Sequence, residues 1–288
     1  MTEPTSSSNN SNSPSVAMDT SLSFFDAHNH LQDARLTSSP DLLISKAQSA
    51  GIKKMVVNGT SPSDWPSVSD LATKFPDIIV PSFGLHPWHT PSDENEWLPQ
   101  LKHFLAKHPI VGVGECGLDR WMPNPHKENQ IRTFTTHLEL AAQNNLPLSI
   151  HVLKAWGWLI ETLHQNPLPS RGFLLHSFGG SRETARELLD LGAYFSFSGY
   201  FLHPKKKNVQ DVFKYLPPDR VLIETDAPDM LPPQAFYSDS SEHNSPINLS
   251  GIYHGFSQLL EVPIQQLANQ VTSNFEHFFL ETHPHHIS

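Results

Sequence analysis

Short apolar runs alternate with amphipathic segments along most of the chain. The runs are rich in β-branched and aromatic residues, which is typical of buried strands. The segments between them have apolar positions spaced three and four residues apart, which is typical of helices that bury one face. The pattern predicts strands near residues 23–28, 53–58, 78–83, 110–115, 147–151, 172–176, 193–197 and 220–224.

Helical segments follow each of the first seven predicted strands, and a pair follows the last. They are predicted near residues 40–50, 64–75, 93–107, 128–145, 155–165, 181–190, 205–215, 250–260 and 263–280. Strands that alternate with helices pair in parallel through right-handed crossovers. Eight such units predict an α/β fold, a (β/α)8 barrel of the TIM type. Periodicity alone leaves open the alternative that some runs are buried helix segments.

Several predicted strands lead directly into an imidazole or a carboxylate side chain. In a closed parallel barrel the C-terminal ends of all strands meet at one mouth. We therefore expect the following side chains to converge there: His28, His30, Glu115, His151, His176 and Asp226. Imidazole and carboxylate groups in this number are the ligands of two-metal hydrolases.

The order of these residues indicates a role for several of them. His28 and His30 alternate along an extended segment, so both rings can reach one ion. The two carboxylate oxygens of Glu115 can bridge two cations and make it a catalytic residue, although a carboxylate here could instead cap a loop. Asp119, four residues later, is expected to support a ligand or brace the loop.

Asp226 follows the eighth predicted strand, which closes beside the first. It can therefore meet His28 and His30 across the seam and act as a metal ligand, as the general base for water, or as both. The structural alternative is a helix N-cap, which is a common use of aspartate before a turn.

Four further residues are candidates for substrate binding. His86 and Trp88 follow the third predicted strand and face the mouth, where an indole can stack on a base. Lys154, three residues after His151, is a candidate phosphate contact, as is Arg120. Loop packing is an equally good reading of His86 and Trp88.

Composition restricts the class of partner. The 288 residues carry a net charge of -10, which argues against a broad basic face that coats duplex DNA. The one cysteine, Cys116, has no internal disulfide partner, which fits a reducing, cytoplasmic location. No segment approaches the ~20 apolar residues of a membrane span, and nothing indicates an obligate protein partner. No glycine-rich nucleotide motif follows the first predicted strand.

The chain divides into three parts. Residues 1–23 are rich in Ser, Asn, Pro and Thr and lack the features of a secretory signal, so we expect a disordered leader. Residues 24–282 are expected to form the barrel, and residues 283–288 a flexible tail.

These motifs together resemble those of the TatD-type metal-dependent deoxyribonucleases, a branch of the amidohydrolase-like barrels. The resemblance covers roughly residues 24–280 and rests on the two strand-end histidines and on these segments: Asp26-Ala27-His28-Asn29-His30-Leu31, Gly84-Leu85-His86-Pro87, Gly114-Glu115-Cys116-Gly117-Leu118-Asp119, Glu224-Thr225-Asp226-Ala227-Pro228 and Thr272-Ser273-Asn274-Phe275.

The resemblance implies two divalent ions, such as Mg, Mn or Zn. One would be held by His28, His30, Glu115 and Asp226, and the other by Glu115, His151 and His176. It also implies an exonuclease that trims single-stranded or frayed DNA from the 3′ end. The chain departs from many relatives at Lys154, where they carry arginine, and in the long acidic loop 229–248, which leaves substrate choice open.

Two other functions stay open. The same ligands can polarise a carbonyl group, which allows an acyl, amide or ester hydrolase, including an enzyme that deacylates mischarged tRNA. Amidohydrolase relatives commonly carry a carboxylated lysine where this chain has Glu115, which favours phosphodiester chemistry. A barrel kept as a non-catalytic interaction protein is the remaining alternative, and the complete ligand set argues against it.

Overall fold

Eight parallel strands pair in chain order in the computed structural model, which describes residues 22–36, 39–91, 93–237, 242–281 and 287. The strands are β1 Phe24–Asn29, β2 Ile52–Asn58, β3 Ile79–Phe83, β4 Gly112–Asp119, β5 Leu148–Leu153, β6 Phe173–Leu175, β7 Ala193–Ser198 and β8 Val221–Glu224. Residues 1–21 of the predicted leader and residues 283–286 and 288 of the predicted tail lie outside the described residues.

Helices cover the outside of the strands. They are α1 Pro40–Ser49, α2 Trp65–Lys74, α3 Leu98–Lys107, α4 Lys127–Asn144, α5 Trp156–Gln165, α6 Arg182–Asp190, α7 Lys207–Phe213, α8 Leu249–Leu260 and α9 Ile264–Phe275. The predicted (β/α)8 barrel is therefore confirmed, and the alternative of buried helix segments is excluded. Among the residues described, no helix is both long enough and apolar enough to cross a membrane.

The barrel seam lies between β8 and β1. The backbone N–H of Asp226 donates to the carbonyl of His28 at 2.9 Å, and the N–H of His30 donates to the carbonyl of Ala227 at 2.8 Å. These two bonds join the segment after β8 to the end of β1, and they bring three predicted site residues into one place.

The strands β4 and β5 extend beyond their predicted ends. The register pairs Gly117 with His151 and Asp119 with Leu153, so the two strands continue past the predicted ligands. Gly117, which lies beyond the predicted end of β4, allows this close pairing, because a Cβ at this position would overlap the carbonyl oxygen of His151. As a result, Glu115 and His151 lie inside strands. The ends of β4 and β5 beyond these two residues form a two-stranded wall at the barrel mouth.

A buried histidine on α4 holds the loop after β3. His137 Nε2 accepts a hydrogen bond from the backbone N–H of Leu85 at 3.1 Å, and its Nδ1 donates to the carbonyl of Thr133 at 2.7 Å. Its ring stacks on Trp97, with 4.9 Å between centroids. Burial lowers the pKa of His137 to about 4, although the bond to Thr133 opposes this shift.

We predict that His137 makes folding sensitive to mild acid. As the pH falls from 6.5 to about 4, the unfolded chain takes up a proton that the folded protein excludes, so the free energy of unfolding decreases. The loss reaches about 3 kcal/mol for a group with this shift. His137→Gln should show a shallower decline across this window in denaturant titrations at several pH values. Above pH 7, the difference in unfolding free energy between wild type and His137→Gln measures only the contacts that the substitution removes. If the unfolding free energies of the two proteins fell in parallel between pH 6.5 and about 4, His137 would not be the source of the acid sensitivity.

Candidate metal centre

Five imidazole rings surround the carboxylate of Glu115. Two of them face its Oε2 atom: His28 Nε2 at 3.4 Å and His30 Nε2 at 3.2 Å. Three face its Oε1 atom: His86 Nε2 at 3.5 Å, His151 Nδ1 at 3.1 Å and His176 Nε2 at 2.9 Å. The two oxygens of one carboxylate thus point toward two separate sets of nitrogen ligands.

Glu115 is held in this position by the backbone of neighbouring strands. Its N–H donates to the carbonyl of Gly59 at 3.1 Å, and the hydroxyl of Ser82 donates to the carbonyl of Gly114 at 2.8 Å. Its side chain is almost fully buried. Burial opposes ionisation, but the surrounding histidines, His176 first among them, hold the pKa of Glu115 well below its usual value.

Asp226 completes the side of the cluster that faces the seam. Its Oδ1 lies 3.8 Å from His28 Nε2 and 3.7 Å from His30 Nε2. Its φ angle is 53°, in the left-handed region that few residues other than glycine adopt. The backbone bond from Asp226 to His28 holds it in this conformation, which directs the carboxylate toward the two rings.

A buried carboxyl group fixes the two chain segments at the seam. Asp26 Oδ2 accepts from the hydroxyl of Thr225 at 2.6 Å, and its Oδ1 accepts from the Thr225 N–H at 2.9 Å. Asn29 Nδ2 also donates to Oδ2, at 3.1 Å. Burial raises the pKa of Asp26 to about 7, while the bonds from Thr225 lower it. Asp26 therefore couples the position of His28 to that of Asp226.

A second buried carboxylate supports His176. Glu224 Oε1 lies 3.7 Å from His176 Nδ1 and accepts hydrogen bonds from the N–H and hydroxyl of Ser177, and Glu224 Oε2 accepts one from the hydroxyl of Ser196. The His176 ring stacks on His28, with 4.0 Å between centroids and 9° between planes. At 3.7 Å Glu224 does not hydrogen-bond to His176 Nδ1, which has no partner among the described residues, but its negative charge favours a proton on that nitrogen.

Asp119 takes the same position behind His151. The Oδ2 atom of Asp119 lies 3.4 Å from His151 Nε2, while the other ring nitrogen faces Glu115. Burial opposes ionisation of Asp119, but hydrogen bonds from His151 and Trp88 lower its pKa to about 2. An ionised carboxylate therefore orients this ring toward the centre.

The cluster has the donor set of a metal site. Within the described part of the chain, four groups of three side chains bring one ligand atom each within 4.8 Å of one another; they are His28–Glu115–His176, His28–His30–Asp226, His86–Glu115–His151 and His176–Glu224–Asp226. Both ring nitrogens of His28 are buried, and neither has a hydrogen-bond partner among the described residues. Buried polar atoms normally have a partner, and a metal ion supplies one.

Protonation of the histidines agrees with this interpretation. Burial lowers the pKa of His28 to about 4, so its ring is neutral at pH 7 and can act as a ligand. Burial also disfavours the charged form of His30, but Glu115 and Asp226 raise its pKa to about 9. Without a metal ion, the two carboxylates thus favour a protonated His30 ring. A bound metal ion would supply the positive charge in place of this proton.

The structure brings all six predicted ligands together at the mouth. His86, predicted as a substrate contact, is buried and lies 3.5 Å from Glu115, so it belongs with the candidate ligands. Trp88 and Lys154 lie at the rim. Glu224 lies two residues before Asp226, so the sequence places it near the cluster, but its hydroxyl partners Ser177 and Ser196 come from other segments of the chain.

A (β/α)8 barrel with this cluster at the C-terminal ends of its strands defines a metal-dependent hydrolase. Comparison with known proteins identifies the family. The family model for TatD-related DNases matches residues 25–280, and the chain belongs to that family.

Similar proteins match over nearly their whole length. The chain is 29% identical over 256 residues to an uncharacterised metal-dependent hydrolase of Bacillus subtilis, YabD, covering 88% of this chain and 98% of YabD. It is 28% identical over 256 residues to the 3′-5′ ssDNA/RNA exonuclease TatD of Erwinia tasmaniensis, covering 88% and 99%. The crystal structure of the TatD homologue YjjV from Escherichia coli superimposes with a TM-score of 0.82 at 27% identity, covering 90% and 98%.

We predict that removing the Glu115 carboxylate lowers metal occupancy at both positions, because one oxygen faces each set of imidazoles. Glu115→Ala should bind fewer ions in elemental analysis and lose turnover. Glu115→Gln keeps the volume of the buried side chain but not its charge, so an equal loss in this variant would assign the effect to the carboxylate. Full occupancy of two ions in both variants would show that Glu115 bridges nothing.

Proposed function

We propose that this protein is a two-metal phosphodiesterase that removes nucleotides from the 3′ ends of single-stranded or frayed DNA. The observation that carries the proposal is the division of the imidazoles between the two oxygens of Glu115. This arrangement suits two divalent ions of the Mg, Mn or Zn type, with His28, His30, Glu115 and Asp226 on one side and Glu115, His151 and His176 on the other. His86 is an additional candidate on the second side.

The residues supply complementary parts of a hydrolytic reaction. Two bound divalent ions would activate a water molecule and offset the charge that develops on the phosphate. Asp226 accepts the proton of the attacking water at its carboxylate. Without a metal ion, burial raises the pKa of Asp226 to about 7; a bound cation would favour the carboxylate form, which is the form that accepts a proton. Asp119 and Glu224 keep the histidines on the opposite side in place.

The net charge of the protein favours a substrate that binds only at the barrel mouth. A net charge of -10 disfavours the binding of a long polyanion along the protein surface. A strand end that reaches the mouth brings few phosphates near the protein, whereas a duplex laid across the surface brings many. The relative from Erwinia tasmaniensis is named an exonuclease of single-stranded DNA and RNA, which supports this substrate class.

We predict that Asp226→Asn folds and cuts the rate of phosphodiester hydrolysis by about 100-fold or more, as expected for the loss of a general base. Asp229→Asn is the matched control, because Asp229 lies three residues later and pairs on the surface with Arg35. The control should retain the wild-type rate. Near-normal rates for Asp226→Asn at saturating metal would remove Asp226 from the mechanism.

The substrate is tested with end-labelled oligonucleotides and small esters. We expect 3′-terminal cleavage of single strands and overhangs to exceed cleavage of blunt duplex. Binding should show a shallow salt dependence, with roughly two or three counterions released in contrast to the ~6–10 of a protein that coats duplex DNA. Faster cleavage within duplex, or a steep salt slope, would overturn the end-trimming proposal. Hydrolysis of carboxylic esters without hydrolysis of bis-p-nitrophenyl phosphate would assign the site to acyl chemistry.

A further inference from the structure

Exposed apolar side chains concentrate at one side of the barrel mouth. In the part of the chain that the structure describes, five large apolar residues are notably exposed, and three of them lie together: Trp88 (60%), Trp121 (63%) and Leu153 (39%). They lie on or beside the wall formed by the extended ends of β4 and β5. A cluster of this kind on a soluble protein marks a binding surface more often than single exposed residues do.

One carboxylate connects this surface to the candidate metal centre. Asp119 Oδ2 accepts from Trp88 Nε1 at 2.7 Å, and its Oδ1 accepts from the backbone N–H of Trp121 at 2.7 Å. The same Oδ2 lies 3.4 Å from His151 Nε2. The Trp88 side chain and the Trp121 backbone therefore bind a residue that directly contacts a candidate ligand, which places both tryptophans one residue away from the candidate metal centre.

Cations gather on the aromatic rings of this region. Lys154 Nζ lies 3.5 Å from the centroid of the Trp121 ring. The Trp158 ring has two cations over it, Arg120 at 5.7 Å and Lys127 at 5.3 Å. Of these rings, Trp121 is exposed and Trp158 is partly buried. In a protein with a net charge of -10, a cation beside the exposed Trp121 ring matches a ligand that offers both flat aromatic groups and negative charge.

We propose that Trp121 and Trp88 form an aromatic platform on which the bases of a single nucleic-acid strand stack while its terminal phosphodiester lies at the metal centre, with Lys154 beside the backbone phosphates. The platform rests on the proposed nuclease function and specifies how the strand is held. Bases in a duplex already stack on one another, so the platform selects unpaired strands and is indifferent to sequence.

Trp121 offers the cleanest test, because the backbone N–H of Trp121, and not its indole, donates to Asp119. Replacing the side chain removes the ring and leaves the bond to Asp119 possible. Trp88 is less suitable, since its indole N–H donates to Asp119 and its loss would disturb His151. Tyr215 is the matched control: it is an exposed aromatic residue that follows α7 and carries Arg182 over its ring at 5.6 Å.

The experiment measures binding by fluorescence anisotropy, so that it does not depend on cleavage. The probes are a labelled phosphorothioate oligothymidylate and a base-free strand of the same length and charge. Trp121→Ala in the metal-loaded protein should weaken binding of the oligothymidylate about 10-fold, the loss of one stacked base. Trp121→Phe should recover most of this loss, and Tyr215→Ala should bind as the wild type does. The base-free strand should bind wild type and Trp121→Ala equally.

Two results would overturn the platform. Equal affinity of wild type and Trp121→Ala for the oligothymidylate would show that no base stacks on this ring. An equal loss on both probes would assign the effect to charge or to folding. Hydrolysis of bis-p-nitrophenyl phosphate by the wild type, measured in parallel, reports on the nuclease function separately, so binding without hydrolysis and hydrolysis without base-dependent binding are distinguished.

Discussion

The structure depends on one buried negative charge, the carboxylate of Glu115. Removing a carboxylate from water is costly unless positive charge or hydrogen-bond donors compensate for it. Here five imidazoles surround the group, and they hold its pKa well below the usual value in spite of burial. Neutral imidazoles such as His28 contribute little positive charge at pH 7, whereas His30, whose pKa Glu115 and Asp226 raise to about 9 against the effect of burial, carries one. A bound metal ion would supply this compensation in place of protons, which fits the meeting of so many ligands at one carboxylate.

The barrel brings the candidate ligands together at its mouth and fixes their positions. Parallel strands that close into a ring direct their C-terminal ends to one mouth, so residues distant in sequence become neighbours. The seam between β8 and β1 is fixed by backbone bonds and by the Thr225–Asp26 contact, which sets Asp226 against His28. On the other side, the extended β4–β5 pair carries Asp119 above the centre, where it contacts His151, the Trp88 indole and the Trp121 backbone. The candidate ligands and the exposed tryptophans thus lie on one frame of paired strands.

Much of this arrangement could be predicted from the sequence. Apolar runs located the strands, and the residues that follow them, such as His30 and Asp226, were correctly placed at the mouth because barrel geometry leaves them no other position. Residues whose role depends on pairing register were harder to predict. The extension of β4 past Glu115 follows from close glycine packing against β5, which has no signature in hydropathy, so the exposed ring of Trp121 was missed. The distance of His86 from Glu115 depends on the path of a loop, so the sequence alone does not distinguish a metal ligand from a substrate contact at this position.

The central claim is that Glu115 joins two metal ions, and crystallography with manganese tests it most directly. Crystals of the protein grown with Mn²⁺ should show two anomalous peaks about 3.5–4 Å apart, the usual spacing of a two-metal site, one on each side of the Glu115 carboxylate. One peak should lie among His28, His30 and Asp226, and the other beside His151 and His176. A single peak, or two peaks that do not share Glu115, would contradict the account.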